Sequence, residues 1–114
     1  MEKTVVIERL AILKEKAVNL QTRLKSIEES CKYADSDKFK WYKAEIDSVL
    51  VDLEVSFESV EKAVERTAAL AAMGWFEGEE KGADFYIEED FKIGTCSIKK
   101  KISKISDLFD MAIS

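Results

Sequence analysis

A chain of 114 residues with 23 acids against 18 bases, net charge −5, is one small acidic domain. It has no histidine, which excludes histidine general acid–base catalysis, Ser–His and Cys–His nucleophile pairs, and the Glu-x-x-His ligand pairs of helical di-iron sites. It has no proline, and its four glycines all lie between residues 74 and 94, so the rest of the chain is free to be helix.

The hydrophobic share of 46% with a mixed-sign charged share of 36% belongs to a chain that folds. The N-terminal MEKTVVIERL stops its apolar run at Glu8 and Arg9, far short of a signal-peptide core. No stretch has the length of a membrane span. A soluble, cytoplasmic protein is expected. Cys31 and Cys96 are too few and too far apart for a disulfide framework, and reduced thiols are expected.

Helix 1 is expected over residues 4–32. Val6, Leu10, Leu13, Ala17, Leu20, Leu24, Ile27 and Cys31 follow alternating steps of four and three, which line one seam of an α-helix. Val5, Ile7, Ile12 and Val18 widen the seam, as suits a bundle helix with two neighbours. Thr4 is the expected N-cap. The polar YADSD at 33–37 reads as a tight connection, with Ser36 or Asp35 capping the next helix. Short connections of this kind make antiparallel neighbours.

Helix 2 is expected over residues 37–73. Phe39, Ile46, Leu50, Leu53, Phe57, Val60, Val64, Thr67 and Ala71 keep the heptad, with one polar miss at Lys43. Trp41, Tyr42 and Val49 enlarge the stripe. Gly74 is placed to end the helix in a left-handed conformation, with Trp75 following it.

Residues 74–95, GWFEGEEKGADFYIEEDFKIGT, differ in character. Seven acids and two lysines give them a charge equal to that of the whole chain. Phe85, Ile87, Phe91 and Ile93 alternate with other residues, a period-two signal for strand. An irregular segment or a short β-hairpin is expected here, turning at Glu88–Asp90. Helix 3 follows over residues 97–112, with Ile98, Ile102, Ile105, Phe109 and Ala112 as its stripe and Thr95 or Ser97 as its cap.

The fold class is therefore mainly all-α: an antiparallel three-helix bundle built on a long helical hairpin, with the insert packed near the end of helix 2. Cys31 and Cys96 fall at opposite ends of that bundle, too far apart for a bridge. Helix 3 is much shorter than helix 2, which leaves part of the hairpin's stripe uncovered. Uncovered apolar area of that extent marks an interface. A homodimer or small homo-oligomer is expected, through Leu10, Leu13, Leu20, Leu24, Leu50, Leu53 and Phe57.

Four constellations carry chemistry to weigh. Asp47, Glu54, Glu58, Glu61 and Glu65 share one face of helix 2. The plain reading is a solvated face with local pairs from Glu58 to Lys62 and from Glu61 or Glu65 to Arg66; the functional one is a surface for a basic partner. Glu58-x-x-Glu61 is similar to half of the magnesium set of all-α nucleotide pyrophosphohydrolases, but the Glu-x-x-x-Asp half is missing from the other helices. EGEEKGADFYIE, residues 77–88, places Gly82 and Glu88 as a calcium loop would, yet Glu77, Lys81 and Asp84 occupy wrong positions. Lys99, Lys100, Lys101 and Lys104 are too few for a phosphate footprint on an acidic protein, and direct nucleic-acid binding is not expected.

The fourth constellation is the insert. Trp75, Phe76, Phe85 and Tyr86 stand among Glu77, Glu79, Glu80, Glu88, Glu89 and Asp90. The plain reading is an aromatic cap kept soluble by acids. The functional reading is a docking epitope, because aromatic residues anchor interfaces and charge steers a partner of opposite sign. The expected function is a small non-enzymatic protein–protein interaction module of adaptor, chaperone or inhibitor type, self-associating and presenting these ten residues to a basic protein. No metal, cofactor or membrane partner is expected. The alternatives are a magnesium-dependent helical hydrolase using the helix 2 carboxylates, an acidic nucleic-acid mimic, and a purely structural coiled-coil oligomer.

Overall fold

Ser36 starts the longest helix. Its hydroxyl accepts a hydrogen bond from the Phe39 amide at 3.3 Å, and Asp37 puts a carboxylate in the first turn, where the helix dipole favours it. From there α2 runs over Asp37–Ala72, preceded by α1 at Lys3–Glu29 and followed by α3 at Ala83–Ile113. The structure is a computed structural model that describes residues 2–30 and 36–113. Cys31 and most of the expected turn at 33–37 lie outside the described residues. Thr4 is inside α1 and is not its cap; Glu2 stands at that position and makes no side-chain capping bond.

The chain folds as a three-helix bundle. Lys14 pairs with Glu61, and Glu28 with Lys43, so α1 and α2 run antiparallel. Thr67 bonds to Asp90 and Lys101 to Ser56, so α3 returns along α2. α1 and α3 are therefore parallel, and the Arg23 guanidinium covers the Phe109 ring at 4.6 Å between them. The bundle is a rod, 62 Å long and 17 by 16 Å across. Its radius of gyration is 18.2 Å, against about 13 Å for a compact domain of this length.

The heptads form the core. Val6, Leu10, Leu13 and Leu24 of α1 meet Phe39, Ile46, Leu50, Leu53, Phe57, Val60 and Val64 of α2. Ile98, Ile105, Leu108, Phe109 and Ala112 of α3 close the third side. Ile7, Ile12 and Val18, expected to widen the α1 seam, stay exposed.

α3 is twice the expected length. It holds 31 residues and begins at Ala83, so the segment read as a hairpin is helix from there on. The apolar side chains sort by helical period: Ile87 and Phe91 are buried one turn apart and continue through Thr95 to Ile98, while Phe85 and Ile93 face solvent. No strand occurs among the described residues. Thr95 and Ser97 lie inside α3 and do not cap it. The buried Thr95 hydroxyl instead donates to the Phe91 carbonyl at 2.6 Å, which satisfies it in an apolar setting. Cys96 sits near the middle of α3, exposed and free, and not at an end of the bundle.

This length removes the reason for an uncovered stripe. α3 reaches along nearly the whole of α2, and the two helices pack much more closely with each other than either does with α1. Gly94 makes that approach feasible. A Cβ there would overlap Val60 Cγ2 and come within 3.2 Å of Val60 Cβ. Val60 is buried and β-branched, with little rotamer freedom to move aside.

Gly94→Ala separates packing from propensity. Helix propensity favours alanine by about 1 kcal/mol, whereas overpacking a filled core costs about 1–3 kcal/mol. We expect Gly94→Ala to lower unfolding free energy by about 1–2 kcal/mol in urea titrations, and Val60→Ala to recover part of that loss in the double variant. A more stable Gly94→Ala protein would contradict the close approach.

Candidate functional site

The α2–α3 end is built from a helix stop. The Gly74 amide donates to the Ala71 carbonyl and the Trp75 amide to the Leu70 carbonyl, both at 3.0 Å. Gly74 takes φ +79°. This is the Schellman arrangement, which satisfies the last carbonyls of α2 and requires a left-handed residue. The remaining connection spans residues 73–82 and turns again at Gly78, whose φ is +81°. Asp84 begins α3 with a carboxylate in its first turn.

Aromatic contacts pin this connection to α3. Phe76 stacks on Tyr86 with centroids 4.8 Å apart and planes at 21°. Phe85 meets Tyr86 edge-on at 5.3 Å. The Lys81 ammonium stands 4.3 Å from the Phe85 ring centre. The Tyr86 hydroxyl donates to Glu79 Oε2 at 3.1 Å. That bond, with the nearby negative charge of Glu79, holds the Tyr86 phenol above its ordinary pKa.

The ten expected epitope residues divide into three groups. Phe76, Phe85 and Tyr86 form the pinning cluster, with Glu79 as its acceptor. Trp75, Glu77 and Glu80 stay exposed around it. Glu88, Glu89 and Asp90 lie further along α3 and are half-buried: the first two sit 3.4 and 3.9 Å from the Lys92 ammonium, and Asp90 accepts the Thr67 hydroxyl at 2.6 Å. Trp75 is 65% exposed. Met73, two residues earlier, is 78% exposed. Its place just before the helix-ending glycine was the available signal.

The other expected sites are placed differently. Leu10, Leu13, Leu24, Leu50, Leu53 and Phe57 are buried within this chain's own core, and Leu20 packs against it. This chain's own helices hold these side chains, and Leu24, Leu50 and Phe57 keep only a thin edge toward the groove between α1 and α2. Glu61 pairs with Lys14 across to α1, and among the described residues no ion pair joins Glu58 to Lys62. The second half of the calcium-like segment, Ala83–Glu88, is helical and cannot act as a loop. Among the described residues, no three carboxylate or thiol side chains gather closely enough to share an ion. No described helix is long and apolar enough to cross a membrane.

The chain matches no protein-family model, no curated protein and no solved structure. Its function must be reasoned from its own surface.

The Tyr86–Glu79 bond gives a pH test. A phenol whose folded pKa is raised contributes stability in full below its unfolded pKa, and that contribution is lost as pH rises through the folded value. We expect the Tyr86 ring, followed by NMR, to ionise above the ordinary phenol value near 10, and Glu79→Ala to bring it back toward that value. Identical titration in both proteins would remove the bond from the account.

Proposed function

We propose that this protein is a non-enzymatic interaction module, of adaptor, chaperone or inhibitor type, whose recognition surface is the α2–α3 end. The observation that carries this reading is Trp75: two backbone bonds and a left-handed glycine fix its position, yet most of its ring faces solvent. Tryptophan and methionine are enriched at interface centres, and a side chain on a fixed turn loses little entropy on binding. Met73 is exposed two residues before it, and Glu77, Glu80 and Asp84 follow with exposed carboxylates in the same stretch of chain. The complementary partner is a basic protein surface with an apolar recess that takes the indole.

The pinning cluster supports the same reading. Phe76, Phe85 and Tyr86 hold the connection against α3, so the exposed residues are presented on a preformed platform. Charge in this window sets the net field of the molecule, which favours encounter with a positive partner at low ionic strength.

Affinity capture from the native cell, with quantitative mass spectrometry, tests this proposal. A protein held by the wild type and depleted about tenfold or more by Trp75→Ala, with further loss in high salt, is the expected result. An unchanged capture profile for Trp75→Ala together with Met73→Ala would overturn it.

A further inference from the structure

A second surface lies on the other side of the rod. Between α1 and α2 runs a groove, about 21 Å long on each helix at 1.5 Å per residue, from Lys14 to Glu28 and from Asp47 to Glu61. Interhelix ion pairs close both ends: Lys14 to Glu61 at one, and Glu28 to Lys43 at 3.1 Å at the other. Among the described residues, no further ion pair joins the two helices between them. The floor is the outer edge of the core, where the buried Leu24, Leu50 and Phe57 line the groove with only 4%, 7% and 5% of their surface exposed. Val18, Val51 and Val55 rise from it, 55%, 61% and 57% exposed. Three exposed β-branched side chains around one groove are not explained by the folding of this chain, whose heptads are already satisfied by α3.

The walls differ in charge. The α2 wall carries Asp47, Glu54 and Glu58, the middle of the acidic stripe seen in the sequence. Asp47 is engaged by Lys43 at 2.8 Å, whereas Glu54 and Glu58 make no ion pair among the described residues. The α1 wall carries Gln21 and Lys25. Glu28, at the end of the α1 wall, is held by Lys43, so a ligand lying in this groove meets carboxylates without an ion pair along the α2 edge.

The geometry points to a docking site for an amphipathic helix of another protein, about four turns long, with an apolar stripe bordered by Lys or Arg on the edge facing α2. Apolar residues at helical spacing would pack between Val18 and Val51, over the thin edges of Leu24, Leu50 and Phe57, as in other helix-in-groove complexes. Its basic edge would pair with Glu54 and Glu58 and fix its orientation. Occupation converts the three-helix rod into a local four-helix bundle. This site is separate from the Trp75 surface and does not depend on it.

The test uses two labelled 18-residue peptides with identical leucine stripes, one flanked by lysine and one by glutamate. We expect the Leu/Lys peptide to bind the full chain about tenfold or more tightly than the Leu/Glu peptide in anisotropy titrations, with affinity falling as salt rises. Val18→Ser, Val51→Ser and Val55→Ser together should weaken that binding about tenfold, and the Glu54→Gln, Glu58→Gln pair should narrow the gap between peptides. The glutamine pair changes only exposed charge, so it decides the matter if the serine variant unfolds. Trp75→Ala and Ile93→Ser, both outside the groove, should leave binding unchanged. Four results would overturn the proposal: no binding of the Leu/Lys peptide, equal binding of both peptides, binding that follows Trp75 in place of the groove residues, or a wild-type dimer in sedimentation that Val51→Ser and Val55→Ser dissociate, which would give the groove to a second copy.

Discussion

The contact between Gly94 and Val60 governs this structure. It brings the α3 backbone against a buried, stiff side chain of α2 at a spacing that no Cβ would permit. A glycine in mid-helix weakens α3 by about 1 kcal/mol relative to alanine. The close packing it allows, in a chain dominated by α2–α3 contact, outweighs that loss. Thr67 with Asp90 on one side, and Ser56 with Lys101 on the other, hold the same antiparallel register. Fixed in this register, α3 covers α2 along almost its whole length.

Both candidate surfaces follow from that register. Because α3 starts at Ala83, only residues 73–82 remain to join it to α2. That connection takes left-handed turns at Gly74 and Gly78, and it is steadied by Phe76 on Tyr86. Trp75, directly after the Schellman glycine, stays exposed. On the opposite side, α1 packs less closely than α3, so the α1–α2 seam stays open enough to form a groove. One end of the rod is thus acidic and aromatic, and one flank is an apolar groove whose α2 wall carries Glu54 and Glu58.

Most of the architecture was legible in the sequence. Heptads from Val6 to Ile27 and from Phe39 to Val64 gave the hairpin, Ser36 its second cap and Gly74 its stop, because burial, capping and left-handed backbone each demand particular side chains. The first half of α3 was not legible. Phe85, Ile87, Phe91 and Ile93 satisfy a two-residue period by chance of spacing, and the helical seam between Phe91 and Ile98 passes through Thr95, a polar residue, beside Gly94, a weak helix former. Both are there for reasons that only tertiary packing reveals: Thr95 bonds its hydroxyl to its own helix, and Gly94 makes room for Val60. The uncovered stripe expected on the hairpin had the same origin, since it followed from a helix 3 read as beginning at residue 97 rather than at Ala83. The acidic stripe on α2 was visible as a pattern, but only the position of α1 turns it into the wall of a groove.

The continuity of α3 is the claim on which the rest stands. Backbone chemical shifts and amide hydrogen exchange over residues 83–96 test it directly. Helical shifts throughout, with amides at Ile87, Phe91 and Thr95 protected as strongly as those near Ile105, are the predicted result. Extended shifts on either side of Glu88–Asp90, with fast exchange at Gly94, would contradict it.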